Sequence, residues 1–136
     1  MSHERGLTMH ELKRAIITSA VSRIEESENN TVKQRYRFAP DFIGFSGHFP
    51  GYPILPAFIQ ILMALVVIEQ HRDCRLLVSS VEKAKFHIPL RPDQEIEVEC
   101  QQQKIGNMPG CAARLVVSDG LASSFRIAFN AKEDIR

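Results

Sequence analysis

The run AFIQILMALVVIEQHR, residues 57–72, most constrains what this chain can fold into. It holds no glycine or proline, and its Leu, Met, Ile, Val and Ala residues point in every direction around a helix. A helix that is apolar on all sides belongs in the middle of a fold, so other elements must enclose it. It is not a bilayer span: the most apolar segment, 54–68, is too short and contains Gln60. Pro56 sits where such a helix can begin, because its missing N–H would be unpaired there anyway.

The chain on both sides of this helix reads as strand. In VSRIEESENNTVKQRYRF a turn-like centre, Ser27–Asn30, divides two β-compatible runs and predicts a hairpin. In its second run Val32, Gln34, Tyr36 and Phe38 alternate with Lys33, Arg35 and Arg37, a mostly apolar face opposite a basic one. Residues 9–20 fit either a short helix or the lead into a strand. A loop from Ala39 to Pro53 follows, with Gly44, Gly47 and Gly51 and Pro40, Pro50 and Pro53. After Asp73 the pattern is β again. Ala84, Phe86 and Ile88 share one face and Lys83, Lys85 and His87 the other, with Pro89 and Pro92 closing the run. Ile96, Val98 and Cys100 alternate with Glu95, Glu97 and Glu99. A turn is expected over Gly106–Gly110, and a hairpin around Asp119-Gly120. The order is hairpin, buried helix, then about four antiparallel strands. That is an α+β architecture, one antiparallel sheet wrapped around one long central helix. Its free edge and open face predict a dimer.

Composition narrows the function. The chain has 136 residues, enough for one domain with a real core, so a single domain over 1–136 is expected. A formal net charge of +1 argues against a generic electrostatic grip on nucleic acid. Cys74, Cys100 and Cys111 are far apart and no histidine lies at zinc-ligand spacing. They read as free thiols in a reducing compartment, with no metal and no cofactor expected. Lys13-Arg14 precedes a short apolar stretch that breaks at Thr18 and Ser19, which is no secretory signal. A soluble cytoplasmic protein with no membrane span is the expectation.

The segment GHFPGYPILPAFIQ, inside residues 45–60, is the most specific feature. It resembles the GHFPG-x-P-x-x-P-G segment of the β-hydroxyacyl-acyl-carrier-protein dehydratases, which have the hotdog fold. KAKFHIPLRPDQEIEVE is similar to the strand after the helix in that family, and some likeness extends to the dehydratase-like proteins of aryl polyene pathways. The resemblance implies a hydro-lyase acting on a (3R)-hydroxyacyl thioester of fatty-acid, polyketide or aryl-polyene-type synthesis. The partners it implies are an acyl-carrier-protein or coenzyme A thioester substrate and a second hotdog chain, in a homodimer or a heterodimer. A histidine takes the α-proton, since imidazole titrates near working pH. A carboxylic acid protonates the departing hydroxyl. A backbone N–H at a helix start serves the thioester oxygen.

Carried over by position, His48 matches the base. Gly51 and Gln60 match residues of the substrate site. Ala57 stands where the family has the glycine whose N–H meets the carbonyl, and alanine keeps that N–H. Fourteen residues after His48 the family has Glu or Asp; here it is Leu62, which cannot donate a proton. A frequent glutamine is replaced by Val66. Glu69 lies seven residues beyond Leu62, roughly 10 Å along the helix, and is a poor substitute. Asp41 lies in the preceding loop. The ordinary reading of His87 is a polar-face strand residue, and His3, His10 and His71 read as exposed. Lys83, Lys85 and Arg91 fit a solvated face or an acidic carrier. Three functions follow: a dehydratase whose acid comes from elsewhere, a half-site or non-catalytic subunit paired with an acid-bearing hotdog chain, and a thioester-binding or thioesterase-like hotdog.

Overall fold

The computed structural model describes residues 8–45, 51 and 53–131. Helix α1 spans Met9–Thr18, settling the ambiguous N-terminal segment. Thr8 caps it: its hydroxyl accepts from the Glu11 N–H while the Glu11 side chain accepts from the Thr8 N–H. This reciprocal box satisfies two donors that a bare helix start leaves unpaired. Strands β1 (Glu25–Ser27) and β2 (Thr31–Arg37) form the expected hairpin. Asn29 and Asn30 both have positive φ, 61° and 57°, a conformation asparagine tolerates better than most residues. The first arm is shorter than the sequence implied, because Val21–Ile24 stays outside the ladder.

Helix α2 covers Ala57–Arg72, with Pro56 as the capping residue rather than the first helical one. Its left-handed C-cap is Asp73. Four strands follow: β3 (Leu76–Phe86), β4 (Glu95–Ile105), β5 (Met108–Val117) and β6 (Gly120–Ala131). All pairings are antiparallel, in the order β1-β2-β4-β5-β6-β3. The sheet packs on α2 chiefly through β2, β3 and β4. From Ile59 to Ile68 every residue of the helix except Ile61 is buried. This is the hotdog arrangement, and it arises because a helix without a polar face needs a surface curved enough to enclose it.

The alternation in β2 and β4 is as expected: Val32, Gln34 and Tyr36, with Ile96, Val98 and Cys100, face inward. Two turns shift. Residues 106–107 form the β4–β5 turn, so Met108, Pro109 and Gly110 already belong to β5. The β5–β6 turn is Ser118-Asp119, and Gly120 opens β6 with φ +126°. β3 departs most from expectation. It is an edge strand, opposite β1, and all of it after Leu76 is exposed. Its register breaks between Val78 and Ser80 and again between Glu82 and Lys85, with Lys83 at φ 52°. The two-faced alternation read across Lys83–Ile88 is therefore not maintained, and the strand ends at Phe86. Bulges of this kind bend an edge strand and interrupt its pairing.

Tyr36, Phe38, Phe42 and Phe45 form a chain of ring contacts with centroids 6.1, 4.3 and 5.6 Å apart. They lead the chain from β2 toward the loop before α2. The Tyr36 hydroxyl donates to Gln34 Oε1 at 2.7 Å, and Gln34 Nε2 donates to the Ser22 carbonyl at 3.1 Å. Burial, with the Cys100 thiol nearby, pushes the Tyr36 phenol well above its ordinary range. Replacing Tyr36 by Phe leaves the buried Gln34 carbonyl without its donor. Tyr36→Phe should lower the unfolding free energy by about 1–3 kcal/mol with an unchanged denaturant slope, read from urea unfolding.

Candidate active site

The beginning of α2 organises the site. Ile59 and Gln60 N–H groups donate to the Pro56 carbonyl, while those of Ala57 and Phe58 have no acceptor among the described residues. Ala57 is exposed, so its N–H is available at the positive end of a 16-residue helix. Gln60 is only 4 % exposed. Its Nε2 donates to the Leu55 carbonyl at 3.1 Å, and its Oε1 has no partner among the described residues. Gly51 sits in a turn at φ +82°, where a side chain would meet nothing within 4 Å. Glycine there answers a backbone requirement, not a lack of space. His48, the candidate base, lies outside the described residues, as does His3.

The structure puts these positions on two sides of α2. Ala57 and Gln60 line a pocket of about 310 Å³ together with Leu55, Phe86, His87 and Ile88. Leu62 follows Gln60 by two residues, about 200° around the helix, and faces away from it. With Phe58, Ile61 and Leu65, Leu62 lines an apolar groove of about 360 Å³ against Leu77, Val78 and Val81 of β3. The spacing 58, 61, 62, 65 is a single helical face. Phe58 and Leu77 are each 53 % exposed there, and Leu62 is 5 % exposed. Among the described residues Lys13 is the one charged residue lining this groove.

Neither alternative carboxylate serves the groove. Glu69 Oε2 accepts from Lys13 Nζ at 2.9 Å and from the Leu76 N–H at 2.9 Å. It ties α1 and the start of β3 to the far end of α2. Asp41 lies exposed in a turn. Val66, at the position of the frequent family glutamine, is buried. His71 is half-buried, 3.6 Å from Glu26, and His10 is exposed. Sequence reasoning passed over His87. It is exposed, as expected of a strand-end residue, yet it lines the same pocket as Ala57 and Gln60. No local signal marks it, because only the fold brings residue 87 beside residue 57.

On the outer face of the sheet Lys83, Lys85, Arg114 and Arg126 border a shallow groove floored by Ala84, Ala112 and Ser124. Toward β2 the cations pair with carboxylates, as in Lys33–Glu99 at 3.6 Å and Arg37–Glu95 at 3.5 Å, and Arg114 itself lies 4.0 Å from Glu99. Among the described residues no His/Cys/Asp/Glu cluster could hold a metal ion, and no helix is long and apolar enough to cross a membrane.

The sequence model of the ApeI-like family, described as ApeI dehydratase, matches residues 24–119, more than half of the chain. The chain belongs to the ApeI dehydratase family. The match runs from the first hairpin through α2 to the β5–β6 turn and so includes every candidate site position. Among curated proteins, the 3-hydroxyacyl-acyl-carrier-protein dehydratase FabZ of Koribacter versatilis is 28 % identical over 96 residues. That stretch covers 65 % of this chain and 56 % of the relative, so the chain spans little more than half of that protein's length. Among solved structures, the dehydratase heterocomplex ApeI:P from Xenorhabdus doucetiae aligns with a TM-score of 0.66 at 23 % identity. The alignment covers 81 % of this chain and 95 % of that one. A thioesterase superfamily protein aligns at 0.56 and 15 % identity, over 79 % of this chain and 54 % of that one. At these identities the structural likeness establishes the hotdog fold.

For this ApeI dehydratase family member, the Glu69 contacts assign that carboxylate to holding the fold. Glu69→Ala leaves Lys13 and the Leu76 N–H without their acceptor and should cost about 1–3 kcal/mol in urea unfolding. Glu69→Gln keeps an acceptor for Leu76 and should cost less.

Proposed function

We propose that the chain is a dehydratase-type hotdog protein acting on a 3-hydroxyacyl thioester, with His48 as the base that removes the α-proton. The family match over residues 24–119 carries this reading. What supports it locally is the uncapped start of α2. There the Ala57 N–H can take the charge that develops on the thioester oxygen as the α-proton leaves. The apolar groove along α2 and β3 suits an acyl chain. The cationic groove of Lys83, Lys85, Arg114 and Arg126 suits an acidic carrier protein, in keeping with the carrier named for the FabZ relative.

The exposed apolar edge of β3, with Leu77, Val78, Val81 and Phe86, is where a second hotdog chain would pack. In a homodimer Leu62 would stand at the acid position of both sites. A second reading follows from that position: the chain is a half-site subunit completed by an acid-bearing hotdog partner. The fold-level likeness to a protein solved as a heterocomplex favours keeping it in view.

One assay separates the readings. The purified chain is offered a 3-hydroxyacyl thioester and formation of the conjugated enoyl product is followed. Turnover by the chain alone that is lost in His48→Ala supports the first reading. Turnover that appears only on mixing with an acid-bearing hotdog protein supports the second. Release of free thiol without enoyl product counts against both and for a thioesterase. Leu62→Glu, which restores a carboxyl at the family position, should raise the elimination rate. No change would mean that the site is built differently.

A further inference from the structure

Among the described residues, the pocket at the start of α2 is lined by one titratable residue that the proposed reaction has not used, His87. Its position is fixed by the backbone. The His87 and Ile88 N–H groups both donate to the Ala122 carbonyl, at 2.7 and 3.1 Å, which ends β3 and holds the chain against β6. Three residues on, the Leu90 carbonyl accepts from the Leu55 N–H at 2.8 Å. The Leu55 carbonyl in turn accepts from Gln60 Nε2 at 3.1 Å. The segment carrying His87 and the segment opening α2 are thus laced together, and His87 and Ala57 line one pocket. Gln60 lines the same pocket, almost wholly buried, with Oε1 unpartnered among the described residues. A pocket walled by Leu55, Ile88 and Pro89, into which Ala57 brings an N–H with no acceptor among the described residues and to which His87 adds a titratable group, can receive a polar group.

We propose that His87 is the general acid of this site, supplying to the leaving 3-hydroxyl the proton that Leu62 cannot. The inference rests on the dehydratase reading. An imidazolium is a competent acid near neutral pH, and hydroxide is too poor a leaving group to depart unprotonated. The step balances. The Cα–H bond breaks and its proton passes to His48. Its electron pair forms the Cα=Cβ bond, and the Cβ–O bond breaks as the His87 proton joins the departing oxygen to give water. His48 is left protonated and His87 neutral, and exchange with solvent resets both. The acid then comes from the same chain as Ala57, not from α2 of a partner.

The test compares leaving groups, using the full chain in its native assembly. The substrates are a 3-hydroxyacyl thioester and its 3-chloro counterpart, whose chloride departs without a proton. His87 is exposed and its backbone makes the hydrogen bonds, so His87→Ala should fold normally. Loss of a general acid should slow water elimination by about 10²–10⁴-fold and leave chloride elimination nearly unchanged. His87→Asn, which keeps a hydrogen-bonding group but no transferable proton, should be as slow as the alanine variant. Equal losses on both substrates, no loss on either, or rescue by asparagine would overturn the assignment. Native protein that eliminates chloride but not water would overturn it too, while leaving His48 as a working base. Native protein that eliminates neither sinks the dehydratase reading itself.

Discussion

Enclosure of α2 is the constraint on which the rest of this molecule depends. Nine of its residues from Ile59 to Ile68 are buried, on all sides of the helix axis. One antiparallel sheet can cover most of that surface only by curving. The strand order places β4, the strand with the cleanest inward alternation, between β2 and β5 behind the helix. Cys100 of β4 lies against the helix backbone, its sulfur 3.7 Å from the Ala64 carbonyl. The sheet runs out at β3, whose apolar residues and the adjacent Phe58 remain exposed. The helix is therefore fully enclosed on one side and only partly on the other.

That asymmetry gives the two ends and two faces of α2 different chemistry. Its first turn is uncapped by any side chain and opens into a mostly apolar pocket to which Gln60 and His87 contribute. The β3-facing stripe is apolar throughout its helical length. Its last turn is closed by Asp73 in the left-handed conformation and by Glu69, which binds α1 through Lys13 and β3 through Leu76. Both contacts of that carboxylate are structural, one to the Lys13 ammonium and one to the Leu76 N–H. It serves as a fastening, not as a proton donor. Glu69, the nearest carboxylate on the same helix, is thus engaged away from Leu62.

Much of the fold was legible in the sequence because it follows from local periodicity. The all-round apolar run required an internal helix, and period-two alternation in β2 and β4 fixed their inward faces. The departures occur where tertiary context overrides pattern. β3 alternates in sequence, but as an edge strand it bulges at Val78–Ser80 and Glu82–Lys85, and so its residues no longer sort onto two faces. The segment Met108–Gly110 contains turn-forming residues, yet pairs with Gln103–Ile105 because β4 continues far enough to template it. Pro109 is tolerated near the start of β5, where the strand has not yet met β6.

The sequence by itself determined the family resemblance, the leucine fourteen residues after His48 and the need for an enclosed helix. These are properties of residue type and spacing along one chain. Only the tertiary structure decided which residues share a space. Gln60 and Leu62, two apart in sequence, are separated to opposite faces of α2 by the helical repeat. Ala57 and His87, thirty apart, line one pocket because the Leu55–Leu90 hydrogen bond ties the entry to α2 to the exit from β3. Contacts of that kind depend on long-range backbone pairing, for which a single sequence carries no local signal.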